Sequence, residues 1–107
     1  MPFNYFPTQV TSATGASGNL VASSAGQSIR VWQLVVASTN AAVQTVTVVS
    51  TTAGTSNTLT IAIASNSTVV LPMTGVTYAI ADAGTAVTFT GAASVTLTAY
   101  YSKGAGG

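Results

Sequence analysis

Three side chains in this sequence carry a charge at neutral pH: Arg30, Asp82 and Lys103. The chain has no histidine, no cysteine and no glutamate. That removes metal sites built on His or Cys, Ser-His-Asp and Cys-His nucleophilic sites, and any carboxylate pair for glycoside hydrolysis. A Ser–Lys dyad needs both side chains on one surface. Ser102 and Lys103 are neighbours in "AYYSK", and adjacent residues of a strand point to opposite faces. Asp82 stands in "IADAGT", just before Gly84. An aspartate there bonds the backbone of a turn, so the sequence predicts a turn role for it. No catalytic, metal-binding or cofactor-binding residue is expected, and the reading is of a protein that is not an enzyme.

Arg30 lies in "GQSIRVWQLVVAS", residues 26–38. A charge on a central strand needs a partner or a wet exit, and an arginine stem can lie along apolar surface while its head reaches water. The expected partners are Asp82 or an aromatic ring of the N-terminal segment, with a subunit contact as the alternative. The same stretch poses a packing problem. Ile29, Val31 and Val35 share one parity, while Trp32, Leu34 and Val36 share the other. Both faces read as apolar, so the second is expected to need a cover from the N-terminal arm or from another subunit.

Nucleic acid is not an expected partner, because phosphate binding rests on several Lys or Arg contacts and this chain has two basic residues. No membrane contact is expected either. A spanning helix needs about 20 consecutive apolar residues, and Thr, Ser or Asn interrupts every apolar run sooner. "MPFNYFPTQV" has neither a basic start nor a long apolar block, so no signal peptide is predicted. "NST" at 66–68 fits the glycosylation acceptor pattern but reads as a turn followed by a strand. Thr-x-Thr pairs recur at Thr45/Thr47, Thr58/Thr60, Thr88/Thr90 and Thr96/Thr98. A regular threonine array could bind ice. The intervals between these pairs are irregular, however, and ordinary outward-facing strand threonines explain them better.

The elements that position these residues follow from composition and period. The 107 residues suit one domain. Apolar residues make up 48% and charged residues 3%, against about 25% charged in an ordinary soluble domain. Disordered chains are poor in Val and Ile and carry net charge; this chain does the reverse. Its formal net charge is +1, little to hold copies apart at high concentration. A place in an assembly is therefore expected.

Residues 1–18 read as an extended arm carrying Phe3, Tyr5 and Phe6 between two prolines, able to reach a neighbouring subunit. Residues 19–103 read as an all-β domain and 104–107 as a Gly-rich tail. Period-2 alternation predicts strands near 19–24, 28–38, 43–50, 57–64, 67–72, 76–81, 85–90 and 94–102. "TLTIAI" turns Leu59, Ile61 and Ile63 one way, and "SVTLTAYY" does the same with Val95, Leu97, Ala99 and Tyr101. Thr on the second face marks half-buried antiparallel sheets. About eight short strands predict a two-sheet sandwich or jelly roll.

"SIRVWQLVVAS", "TVTVVS" and "LPMTGVTYAIADAGTAVTFTGAASVTLTAYYS" together resemble small virion proteins of tailed phages, above all head-decoration (cement) proteins. The shared pattern is an early strand with V-W/Y-x-L, a mid-chain LP-x-x-G, a Gly-containing turn and a last strand ending in Tyr, over residues 28–102. The resemblance implies a capsid-surface protein, often trimeric, that bridges subunits of the major capsid protein. The expected contacts with itself and with other virion subunits run through Phe3, Tyr5, Phe6, Arg30 and Trp32. Two other functions fit the composition. One is a subunit of a tail, fibre or other filament. The other is a carbohydrate-binding or adhesive module using Tyr78, Tyr100, Tyr101 and Trp32.

Overall fold

The computed structural model describes residues 9–74 and 77–105. Nine strands form: β1 (Gln9–Thr14), β2 (Ser17–Val21), β3 (Gln27–Ser38), β4 (Gln44–Thr52), β5 (Thr55–Ile63), β6 (Thr68–Leu71), β7 (Ala79–Ala81), β8 (Val87–Thr90) and β9 (Val95–Ala105). The described residues contain no helix. One sheet runs β1-β9-β3-β6, with the short β7 also on β3; the other runs β2-β8-β4-β5. All pairs are antiparallel.

The pairings nest. β1 pairs with β9, β2 with β8, β3 with β6 and β7, and β4 with β5. The chain is thus one long hairpin rolled onto itself, closed at the β4–β5 turn, with β3·β9 and β4·β8 joined as the roll closes. This is the jelly-roll wrap, and the predicted all-β sandwich is observed. The closing turn has Ala53 at φ 52° and Gly54 at φ 77°. Positive φ at both central positions is the two-residue hairpin turn whose twist matches its strands. The wrap leaves one apolar face per sheet, and the two faces meet. Ile29, Val31, Leu34, Val36, Leu97 and Ala99 face Val46, Val48, Ile63 and Val87, all almost wholly out of water.

β3 resolves its own packing problem. Val31 pairs with Tyr101, but Gln33 pairs with Tyr100, so the register shifts by one residue at Trp32. An extra residue in one strand is a β-bulge, and it reverses the parity of everything beyond it. Ile29 and Val31 before the bulge, and Leu34 and Val36 after it, therefore enter the same core. The expectation of a second apolar face is corrected on this point. Leu34 and Val36 are buried within the chain, and Val35 is the residue turned outward and half-buried. Trp32 is 3% exposed and donates its indole N–H to Ser102 Oγ at 2.9 Å.

Two boundaries also shift. Part of the predicted arm is sheet: β1 adds to the β9 edge with Gln9 opposite Tyr101 and Thr14 opposite Thr96. Its signal is faint because only Thr11 and Ala13 turn towards the interior. At the other end β9 runs into the predicted tail, with Gly104 opposite Ser28 and Ala105 opposite Gln27. Backbone pairing needs no side chain, so a Gly-rich sequence can extend a strand that already has a partner.

Leu34→Ala should lower unfolding stability by about 2–5 kcal/mol, because it opens a cavity in the closed core. Val70→Ala, at a position 51% exposed, should stay within about 0.5 kcal/mol of the parent. Urea unfolding followed by Trp32 fluorescence compares the two.

Candidate interaction surfaces

The ionisable side chains are dispersed among structural tasks. Asp82 follows β7, and its carboxylate Oδ2 accepts the Ala53 backbone N–H at 2.6 Å. Its own N–H donates to Thr51 O at 2.9 Å, and Thr85 N–H donates to Asp82 O at 3.0 Å. Asp82 therefore pins the β4–β5 turn to the β7–β8 loop, the turn role read from the sequence. Lys103 is half-buried, and its Nζ donates to Ser24 Oγ at 2.6 Å. Ser102, the preceding residue of β9, is on the opposite face of the same strand, with its hydroxyl taken by Trp32. Arg30 is half-buried on β3, in register between Ser102 of β9 and Ile80 of β7. No group of three or more acids, histidines or cysteines that could hold a metal ion occurs among the described residues.

Of the predicted contact residues, Phe3, Tyr5 and Phe6 lie outside the described residues. Arg30 and Trp32 fall two positions apart on β3, at the end of the sheet where Ser28 and Ser102 are also buried. Trp32 presents almost no surface, being 3% exposed in the single chain. The aromatic set proposed for a sugar site is not brought together on a surface either. Tyr101 is buried with its hydroxyl donating to Gln9 Oε1 at 2.9 Å, and Tyr78 donates to Pro72 O at 2.6 Å. A depression of about 270 Å³ with a mixed lining lies between β4, β5 and β7, bordered by Ser50, Asn57, Thr77, Tyr78 and Ile80 among others. It falls below the usual size of a ligand pocket.

The surfaces left open are hydroxyl-rich sheet faces. In the β2-β8-β4-β5 sheet, Ser17, Thr90, Thr47 and Thr60 stand in one row across all four strands. Asn19, Thr88, Val49 and Thr58 form the next row. Rows of this kind repeat at about 4.8 Å between strands and about 6.8 Å along them. Three of the four Thr-x-Thr pairs thus converge on one face although their sequence intervals are irregular. Sequence spacing missed this because register, set by the nested pairing, brings distant threonines level. The fourth pair is on the other sheet, where Thr96 and Thr98 exchange hydroxyl bonds with Thr14 (2.7 Å) and Ser12 (3.1 Å). Large exposed apolar side chains among the described residues are scattered: Val10, Val43, Val70 and Met73.

No protein family, curated protein or solved structure matches this chain.

Asp82→Ala should cost about 0.5–1.5 kcal/mol, since it removes the hydrogen bond to the exposed Ala53 amide, which water then solvates. Asp82→Asn, which keeps an acceptor oxygen, should recover part of that loss. Thermal unfolding of the three proteins side by side measures it.

Proposed function

We propose that this chain is a non-enzymatic structural protein of a virus particle, acting at the capsid surface as a phage decoration (cement) protein. The observation that supports the reading most is the strand order, β1-β9-β3-β6 against β2-β8-β4-β5. It is the jelly-roll wrap, an architecture common in capsid and lectin domains. Fold alone does not assign function, but two further features point the same way. The surface is almost without charge, and its sheet faces carry rows of threonine and serine in place of ionised groups. Such faces suit contacts with many equivalent neighbours, where weak contacts repeated by symmetry give strong avidity.

The mechanism read from sequence needs one change. Apolar strand faces do not drive assembly, because the bulge at Trp32 turns them inward. The contacts instead run through hydroxyl-rich faces and strand edges, with residues 1–8 as the further candidate element. The partners are other copies of this chain and the major capsid protein.

A reconstruction of the native particle tests the proposal. Density for the sandwich on the outer shell supports it. Density in a tail or fibre selects the filament alternative, and absence from particles refutes both.

Two outcomes are expected. Removing residues 1–8 should abolish incorporation into particles while circular dichroism and the unfolding midpoint stay unchanged. Deletion must stop there, because Gln9 already bonds Tyr101. Assembly should also change little between about 50 and 500 mM salt, since there are few charges to screen. A steep loss measured by sedimentation at moderate salt would count against the proposal.

A further inference from the structure

A sheet edge is a row of unpaired N–H and C=O groups that invites another strand, and proteins usually blunt it with charge, proline, bulges or brevity. The edges of this sandwich differ in that respect. β6 has four residues and runs into Pro72, β7 has three, and β2 has five with a register shift after Asn19. β1 has six. β5 has nine, paired with β4 without interruption from Thr55 to Ile63. It contains no proline and no glycine, and no charged residue occurs anywhere between Arg30 and Asp82. About half of its residues must turn both backbone groups away from β4. No strand covers that side among the described residues.

We infer that the β5 edge is a homotypic docking site, and that its occupant is β5 of a second copy, added antiparallel about a two-fold axis. Three observations select a second copy over a foreign strand. First, β5 is self-complementary. Thr58, Thr60 and Ala62 face out, while Leu59, Ile61 and Ile63 face the core side, so an antiparallel copy centred on Thr60 sets Thr60 beside Thr60, Thr58 beside Ala62 and Leu59 beside Ile61. Second, no like charges meet across such an axis, because β5 and its partner β4 carry none. Third, Leu59 packs on the core yet is only partly buried at the edge, and a second β5 would complete its cover. The contact is isologous. It extends the four-stranded sheet to eight and carries the row of Ser17, Thr90, Thr47 and Thr60 straight across the axis. It does not depend on the virion reading.

The test is self-association of the purified full chain by light scattering and sedimentation equilibrium. The parent should have a mass that is an even multiple of the chain. Thr58→Lys with Thr60→Lys sets like charges against each other across the axis and should weaken the association on the order of tenfold or more, halving the mass at micromolar concentration. Thr58→Ser with Thr60→Ser should leave it unchanged. Val43→Lys with Val70→Lys adds the same charge at exposed positions off this edge and should also leave it unchanged. Circular dichroism and the unfolding midpoint confirm that each variant is folded. A monomeric parent, an odd-numbered oligomer indifferent to the β5 lysines, or equal dissociation by the Val43 and Val70 lysines would each overturn the inference.

Discussion

The fold depends on the ladder between β3 and β9. It is the longest pairing in the molecule, from Gln27 opposite Ala105 to Ser38 opposite Val95, and its single irregularity at Trp32 decides which side chains form the core. Without the extra residue, Ile29 and Val31 would be inward while Leu34 and Val36 faced water. With it, all four are buried, and the parity change falls on Trp32, itself buried and hydrogen-bonded across to β9. The Trp32 indole and the Ser102 hydroxyl satisfy each other where both are out of solvent. A buried donor left without such an acceptor costs about 1–3 kcal/mol, so the bond helps hold the bulge at this position.

Much of this was legible in the residues and some was not. Alternation in "TLTIAI" and "SVTLTAYY" locates β5 and β9 because each buries one face, and Gly or Asn marks the turns between strands. The β3 stretch misleads for a physical reason: period-2 reasoning assumes an unbroken pleat, and a bulge breaks it without a Gly to announce it. β1 was hidden because an edge strand that buries only Thr11 and Ala13 has little alternation to show. The turn role of Asp82 was readable from the Gly that follows it. Its bond to Ala53 was not, since 29 residues separate the two and only the rolled hairpin brings them together. The threonine rows are the same case. Each pair was visible as a local motif, but which pairs share a face is a property of register.

Scarcity of charge shapes the exterior as the bulge shapes the interior. The three charged residues stand on strands or at a turn, and two of them, Asp82 and Lys103, bond other parts of the chain. Hydroxyl groups then supply much of the polarity of the outer sheet faces. A threonine on a strand presents both a methyl and an oxygen, and it suits the pleated surface it stands on. The two sheets use these groups differently. On β1 and β9 the hydroxyls bond one another; on β8, β4 and β5 no side-chain bond joins the aligned threonines among the described residues.

The nested pairing has a consequence for how the protein is made. β3 is synthesised well before its principal partner, β9. The sheet that contains it cannot close until β9 has been made, whereas the β4–β5 hairpin joins neighbours in sequence. Such long-range pairing is slow to form, and until β9 is in place β3 has only the short strands β6 and β7 to lie beside it.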